Sequence, residues 1–310
     1  MLFKNRVIGA CCIFLFPSIC FGTNYDNVVK KMQDLAANHP KIAVMMDIGK
    51  NDSGILIQGL KIEKQPGFDV VVGKTKHLLV GVHHGNEKLG ADVAIKFAED
   101  LIQNFSLEAG EADDSWEDTW QGLEDRVLYV IPVLNIGGYN ANTREERSSG
   151  GSSVDPNRDY PDVCVQQKYF QLASTSNLAR FIEKEEIIGA VTVHGYIGTF
   201  TYPWGIFTDS TKTLDDSFYR EVAKASVAIN NYRTGTHTDI IYPAAGAFED
   251  WAYYKFGVWT MLLEVARSPD IQKDSAAMIK YFSQLPQERS TQHQHTGNCT
   301  QTKGSFPSRP

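Results

Sequence analysis

The sequence predicts an α/β fold with a mixed, mainly parallel central sheet that is covered by helices on both faces. Short, almost wholly apolar runs alternate along the chain with longer segments of helical periodicity. Such runs are typical of strands that are buried on both sides of a parallel sheet. Two earlier apolar runs are separated by a polar Lys-Asn-Asp-Ser-Gly segment, which is typical of a hairpin and makes the sheet mixed.

Each element follows from its local pattern. Apolar residues at helical spacing predict helices over residues 25–38, 88–102, 168–185, 214–229, 246–254 and 270–282. Continuous apolar runs predict strands over residues 42–48, 55–62, 77–82, 127–134, 187–193 and 258–265. Gly, Ser, Asn and Arg are abundant between residues 135 and 161, and a loop of that length inside a compact domain is usually functional or disordered.

The first 22 residues have the pattern of a secretory signal peptide. Lys4 and Arg6 precede an apolar run, and small residues lie near a plausible cut after Gly22. The alternatives are an uncleaved anchor or a buried first helix. Cleavage would leave a secreted or periplasmic protein without a membrane span, because no later apolar run is long enough. We expect one domain over residues 23–285 and a disordered tail over residues 286–310, where large apolar side chains are scarce.

Charge and cysteine content narrow the possible partners. The formal net charge is −7, from 30 Lys and Arg against 37 Asp and Glu, and loss of Lys4 and Arg6 with the leader would make it −9. This balance disfavours a nucleic-acid surface. Of the five cysteines, only Cys164 and Cys299 lie outside the leader. They could form one disulfide in an oxidising compartment or remain two thiols, and no CxxC pair offers a metal site.

Candidate metal ligands lie where predicted strands end. His84 and Glu87 follow one strand, with two residues between them, and His194 ends another. Sites in α/β sheets collect at the carboxyl ends of strands. Two imidazoles and one carboxylate form a catalytic zinc set that leaves a fourth position for water. A solvated His/Glu pair is the alternative for the short motif alone. His83 is a rival ligand, although adjacent strand residues point in opposite directions.

Glu264 is the single acid in the apolar run over residues 258–265. A buried carboxylate is costly unless it is paired or lies near a metal. Beside a zinc-bound water it could serve as a general base and then as a general acid to a leaving amine. The alternative is a strand-end acid that pairs with Arg267.

Three arginines lie in the long polar loop. Arg144, Arg147 and Arg158 occur there together with Asn157. A guanidinium group matches a carboxylate through two parallel hydrogen bonds, so this loop could hold a carboxylate ligand. A set of solvated loop charges is the alternative.

Together these motifs resemble the M14 zinc carboxypeptidases, the family of pancreatic carboxypeptidases A and B. The likeness extends from about residue 25 to residue 281 and follows the family's order. It consists of Asp47-Ile48-Gly49-Lys50 through Gly54, His84-Gly85-Asn86-Glu87, Asn135 with Gly137-Gly138-Tyr139, Asp155-Pro156-Asn157-Arg158, His194-Gly195-Tyr196, Tyr202-Pro203-Trp204-Gly205, Tyr242 with Asp250-Trp251, and Glu264. Ile136 departs from the family pattern, which has proline there.

The resemblance implies a zinc hydrolase that removes the C-terminal residue of a peptide. The implied ligands of its one zinc ion are His84, Glu87 and His194, and Glu264 is the implied general base. Arg144 would help zinc to stabilise the developing oxyanion. Arg147 lies close by in the sequence and is the other candidate for this role.

The resemblance also implies how the substrate is held. Asn157, Arg158 and Tyr242 would bind the free C-terminal carboxylate of a peptide. Counted from Tyr242, Glu249 falls at the floor of the family's specificity pocket, where an acid pairs with Lys or Arg. Glu249 therefore indicates a basic or amine-bearing terminal residue, including diaminopimelate of cell-wall peptides. A surface glutamate on a helix is the alternative.

Two rival functions share the same motifs. One is a zinc amidase or deacylase on the same scaffold, and the presence of Tyr242 argues against it. The other is an inactive peptide-binding relative, which would be expected to have lost a zinc ligand or Glu264. The sequence keeps all of these residues and so favours the peptidase.

Overall fold

The computed structural model describes residues 24–64, 73–107, 114–164 and 170–301. The predicted signal peptide lies outside these residues. The helices are α1 (Tyr25–Asn38), α2 (Leu89–Phe105), α3 (Glu117–Gln121), α4 (Ile136–Ala141), α5 (Ala173–Lys184), α6 (Asp216–Asn230), α7 (His237–Ile240), α8 (Phe248–Phe256) and α9 (Ile271–Ser283). The strands are β1 (Ala43–Lys50), β2 (Leu56–Glu63), β3 (Thr75–Gly81), β4 (Arg126–Ile131), β5 (Glu146–Arg147), β6 (Ser153–Val154), β7 (Gly189–Gly195), β8 (Thr199–Tyr202), β9 (Arg233–Thr236) and β10 (Trp259–Val265).

Eight strands form one sheet in the order β1-β2-β4-β3-β7-β10-β8-β9. The central strands β4, β3, β7 and β10 run parallel to one another. The pairs β1–β2, β2–β4 and β10–β8 are antiparallel. Every residue of β4 and β10 is buried. Because successive side chains point to opposite faces, both faces of the central sheet are covered. The predicted mixed sheet with flanking helices is confirmed.

Several short elements were not predicted. The long polar loop contains α4, which begins where the Asn135 side chain accepts a hydrogen bond from Gly138 N, and the small β5–β6 sheet. Strands β8 and β9 have four residues each, many of them polar. Such segments have no clear period of their own, so pairing with a neighbouring strand decides their conformation.

The C-terminal segment differs from the prediction of a disordered tail. Trp259 Nε1 donates to Glu288 O at 2.9 Å, and Arg289 Nε donates to Ile187 O at 2.8 Å. Cys299 forms a disulfide with Cys164. Hydrogen bonds to the backbone and one covalent link therefore fix a segment that contributes little to the core. The prediction is wrong for residues 286–301, and residues 302–310 lie outside the described part of the chain.

No helix within the described ranges is both long enough and apolar enough to cross a membrane.

Candidate active site

Strand register places the candidate side chains in two rows on one face of the sheet. The upper row consists of His194 on β7, Glu264 on β10 and Thr199 on β8. The lower row consists of Thr192 on β7, Leu262 on β10 and Thr201 on β8. Because alternate residues of a strand share a face, both rows point to the same side, roughly 6.6 Å apart along the strands.

Three side chains converge at the end of the upper row. His84 Nδ1 lies 2.9 Å from Glu87 Oε1, and His194 Nδ1 lies 3.0 Å from Glu87 Oε2. The two Nδ1 atoms are themselves 3.0 Å apart, and all three side chains are buried. Tetrahedral zinc, with bonds of about 2.0–2.1 Å, holds its ligand atoms roughly 3.3 Å apart. The donor set and its spacing therefore fit a single zinc ion.

The approach of the chain to this group is strained. Val82 follows β3 and has φ of +53°, a left-handed conformation that is rare for a β-branched residue. The turn brings His84 towards His194. His83, the rival ligand, lies outside the group: its Nε2 is 3.1 Å from Tyr160 Oη and its ring stacks on His194 at 5.5 Å.

Asp155 links the metal group to Arg144. Its Oδ1 lies 3.1 Å from His84 Nε2, and its Oδ2 accepts from Arg144 Nε at 3.0 Å. Burial alone would raise the pKa of Asp155, but hydrogen bonding to His84 and the charges of His84, Arg158 and Arg144 hold it well below its usual range. A carboxylate behind a ligand histidine fixes the orientation of its ring. Asp155 belongs to the motif Asp155-Pro156-Asn157-Arg158, which predicts no role for it beyond its place beside Asn157.

The structure brings Arg144, and not Arg147, to the metal group. Arg144 Nη1 lies 3.5 Å from Glu87 Oε1, whereas Arg147 is exposed on β5. Arg144 also lines the cleft to which His84 and Glu87 contribute, together with Tyr242 and Glu264.

Glu264 is buried and partly unpartnered. Its Oε2 has no hydrogen-bond partner among the described residues, and neither has the hydroxyl of Thr199 beside it in the upper row. Burial raises the pKa of Glu264 to about 8, and the charge of Glu87 adds to the shift. A bound cation nearby would lower this pKa. The alternative ion pair between Glu264 and Arg267 is not observed, although both residues line the cleft.

The loop residues Asn157 and Arg158 lie beside Tyr242 and α8. Asp155 accepts a hydrogen bond from Asn157 N at 2.9 Å and so starts the short turn that carries both residues. Arg158 Nη2 donates to Tyr242 Oη at 3.3 Å. Asn157 Oδ1 accepts from Phe248 N at 2.8 Å, which ties the loop to the start of α8.

Glu249 points inward from α8 and is 5% exposed. Its carboxylate accepts hydrogen bonds from Thr192 Oγ1 and from Asn157 Nδ2. Its backbone oxygen accepts from Thr260 Oγ1 at 3.0 Å, which holds α8 against β10. Glu249 therefore lies over the lower row, and the alternative of a surface glutamate is not observed.

His237 is a further residue at this site, and no sequence motif predicts it. Its Nδ1 lies 3.4 Å from Thr201 Oγ1, and its ring packs edge-on against Tyr242 at 5.7 Å. Burial lowers the pKa of His237 to about 3, and the charges of Arg158 and His194 add to the shift. A lone histidine in a short polar segment carries no sequence signal, because only the position of α7 against β8 brings it to this site.

The described chain matches the family model for zinc carboxypeptidases, peptidase family M14, over residues 28–293. The protein belongs to this family. The resemblance that the motifs predicted is thereby confirmed. Zinc is the metal of M14 carboxypeptidases, and His84, Glu87 and His194 form a group that could bind it.

A sequence relative and a solved structure are both similar to this chain. The chain is 30% identical over 261 residues to zinc carboxypeptidase A 1 of Drosophila melanogaster, and the match covers 74% of this chain and 57% of that protein. The chain thus spans little more than half the length of this relative. The crystal structure of thrombin activatable fibrinolysis inhibitor matches with a TM-score of 0.71 at 15% identity, covering 84% of this chain and 74% of that one.

A third match is the murein-tripeptide amidase of Escherichia coli O157. Its TM-score is 0.50 at 14% identity, and the match covers 78% of this M14 chain and 92% of the amidase chain. At these identities the two solved structures establish a common fold and nothing about substrates.

Proposed function

We propose that this M14 protein is a zinc metallocarboxypeptidase that hydrolyses the last peptide bond of a peptide with a free C-terminal carboxylate. One observation carries the proposal: the candidate metal ligands His84 and Glu87, the cation Arg144, the buried acid Glu264 and Tyr242 all line one cleft. A metal group, an acid–base group and cations for a carboxylate are the parts that this hydrolysis requires.

Each residue of the site has a proposed role that follows from its position. His84, Glu87 and His194 would hold zinc, which supplies Lewis acidity for the water and the carbonyl oxygen when it is bound. Glu264 takes a proton from the attacking water and passes it to the leaving amine as the carbon–nitrogen bond breaks. Arg144 keeps a positive charge beside Glu87, where the carbonyl oxygen becomes negative.

Asn157, Arg158 and Tyr242 would bind the terminal carboxylate of the substrate. Arg158 already donates to the Tyr242 hydroxyl, and its guanidinium lies 6.0 Å from the centre of the Tyr242 ring. A guanidinium beside a phenol offers several donors to one carboxylate. This arrangement supports exopeptidase selectivity.

The proposal extends to the terminal side chain. The inward carboxylate of Glu249 is a buried acceptor, and a buried charge is costly unless a cation pairs with it. A basic or amine-bearing residue, including diaminopimelate of cell-wall peptides, would supply that cation. An apolar residue would leave the carboxylate without one, which favours discrimination against it.

Three peptides that differ only at the end test this function: one ends in lysine, one in lysine amide and one in leucine. The lysine peptide should be cleaved at its last bond, because its carboxylate pairs with Arg158 and its ammonium with Glu249. The amide should lose at least about a hundredfold in kcat/KM, since it offers the Arg158 guanidinium no negative charge. Mass spectrometry of the products identifies the bond.

The same three peptides also test the rival amidase function. Equal cleavage of the lysine acid and the lysine amide would reject the carboxypeptidase and favour the zinc amidase, whose fold class also occurs in the murein-tripeptide amidase. A preference for leucine over lysine would reject only the role of Glu249.

We also propose that the protein works outside the cytoplasm, secreted or periplasmic. The leader-like residues 1–22 and the Cys164–Cys299 disulfide support this, because disulfides persist in oxidising compartments. Intact mass of the protein from the extracytoplasmic fraction should correspond to a chain that starts at Thr23 with one disulfide. A full-length chain retained in the cytoplasm would contradict the proposal.

A further inference from the structure

Two polar side chains lie over the lower row of the sheet, one at each end. Thr192 and Thr201 flank Leu262 on the two neighbouring strands. Strands are about 4.8 Å apart, so the two threonines are separated by roughly 10 Å. Thr192 donates to Glu249, and Thr201 contacts His237. The carboxylate and the imidazole therefore stand on opposite sides of Leu262.

His237 is held firmly on three sides. Thr201 contacts its Nδ1, the Tyr242 ring packs against it, and the backbone of Gly205 lies so close that a Cβ there would be 3.2 Å from Cδ2 of the imidazole. Gly205 N is itself fixed by hydrogen bonds to Asp250 at 2.9 Å. The ring can therefore not turn freely to find a partner elsewhere.

The remaining ring nitrogen has no partner. His237 Nε2 is buried and makes no hydrogen bond within the ranges that the structure covers. Buried polar atoms in folded proteins are almost always paired, and the exceptions need an explanation. Because this atom belongs to a ring that packs against Tyr242, a residue of the proposed substrate site, a substrate group is the natural partner.

The contact with Thr201 favours a proton on this nitrogen. Thr201 is fully buried, and among the described residues its hydroxyl contacts no polar atom besides His237 Nδ1. With the Thr201 hydroxyl donating to Nδ1, a neutral ring carries its own proton on Nε2. The low pKa that burial gives His237 keeps the ring neutral. His237 thus offers a donor and Glu249 an acceptor.

We propose that the space over Leu262, between Glu249 and His237, receives the C-terminal residue of the substrate and selects one whose side chain ends in both an ammonium group and a hydrogen-bond acceptor, as in a diamino dicarboxylic acid such as diaminopimelate. The ammonium pairs with Glu249, and the side-chain carboxylate accepts from His237 Nε2. A lysine side chain satisfies Glu249 alone and leaves Nε2 unpaired. The inference rests on the proposed carboxypeptidase function and makes His237 a second specificity-determining residue.

The test compares two peptides that are identical except for a terminal lysine or meso-diaminopimelate. The zinc-loaded protein should prefer diaminopimelate by at least about tenfold in kcat/KM, because a hydrogen bond to a charged group is at stake. His237→Leu keeps bulk but removes the donor, so this ratio should fall to near one. His237→Gln restores an N–H donor and should recover part of the ratio. Glu249→Gln should lower kcat/KM for both peptides.

The outcomes distinguish the role of His237 from the proposed carboxypeptidase function. The role of His237 is wrong if the unmodified protein and His237→Leu give the same ratio, or if neither prefers diaminopimelate. Cleavage of the lysine peptide would still support the carboxypeptidase function. If neither peptide is cleaved, the proposed carboxypeptidase function is wrong. Calorimetric binding of free diaminopimelate and free lysine to the same variants then gives the ratio independently of turnover. If His237→Leu folds poorly, the unmodified protein and His237→Gln still provide the comparison.

Discussion

Single carboxylates in this protein differ in function because their surroundings differ. Glu87 faces two imidazoles. Burial alone would raise the pKa of Glu87, but the charges and hydrogen bonds of the imidazoles hold this pKa well below its usual range. Glu249 is buried and accepts hydrogen bonds from two neutral donors, Thr192 and Asn157. One oxygen of Glu264 has no hydrogen-bond partner in the part of the chain that the structure describes, and burial raises the pKa of this carboxyl group to about 8. The same chemical group thus becomes a candidate ligand, a candidate specificity residue and a candidate proton carrier.

Replacement of Glu264 by glutamine tests the proton carrier. Glutamine has nearly the same shape but cannot take a proton from water, so kcat should fall by at least about a hundredfold while zinc content and thermal stability are retained. Steady-state kinetics and elemental analysis measure the two effects. Glu99→Gln, on the exposed side of α2, is the matched control and should behave like the unmodified protein. A Glu264→Gln enzyme with most of its turnover would remove this residue from the mechanism.

At the scale of one element, α5 is fixed by acids that come from distant segments. Asp52 Oδ2 accepts from Ala173 N at 2.7 Å, Glu146 accepts from Ser174 Oγ, and Asp159 accepts from the backbone amides of Gln171 and Leu172. Helix N-termini favour negative charge and have unpaired amides. Burial nevertheless raises the pKa of Glu146 to about 7, with the charges of Asp52 and Asp159 adding to the shift.

This arrangement predicts a stability that depends on pH. The folded protein holds a proton on Glu146 that the unfolded chain loses near its usual pKa of 4.5. The stabilisation is complete below about pH 4.5 and is lost as the pH rises through about 7. Glu146→Gln has no such proton to lose, so its free energy of unfolding relative to the unmodified protein should increase between pH 5 and pH 8.

Urea unfolding at both pH values measures the difference. Glu145→Gln, a change at the exposed neighbouring acid, should leave the pH dependence as it is. Parallel curves for Glu146→Gln and the unmodified protein would show that Glu146 does not titrate between the folded and unfolded states.

At the scale of the whole molecule, the metal group exists only in the folded chain. His84 and His194 are 110 residues apart in sequence and meet through the parallel pairing of β3 with β7. An ion that binds the folded state and not the unfolded one stabilises the fold by mass action. Zinc binding and global stability are therefore coupled here.

Removal of zinc by a chelator should lower the Tm, and added zinc should restore it. His194→Ala should lack stoichiometric zinc, and its Tm should not respond to the chelator. Elemental analysis and thermal unfolding provide the measurements, with His39→Ala at the end of α1 as a control that keeps its zinc. Stoichiometric zinc in purified His194→Ala would refute the ligand set.

Much of the sheet could be predicted because its signal is local. The run over residues 258–265 is apolar throughout, and such a segment is stable only between two covered faces. The strands β8 and β9 could not be predicted, because their threonines, glycine and arginine fit a strand only when neighbours pair with them. The segment 286–301 was missed for the same reason, since its order depends on contacts with Trp259, Ile187 and Cys164.

The sequence by itself determined the fold class, the family and the zinc motif, because periodicity and short spacings such as that of His84 and Glu87 are properties of neighbouring residues. Tertiary structure decided which arginine of the loop reaches the metal group, that Cys164 pairs with Cys299, and that Glu249 points inward. It alone set His237 opposite Glu249. These facts depend on contacts between segments that are far apart in sequence. For the two rows of the sheet that means register, because a one-residue slip would reverse every side chain in a row.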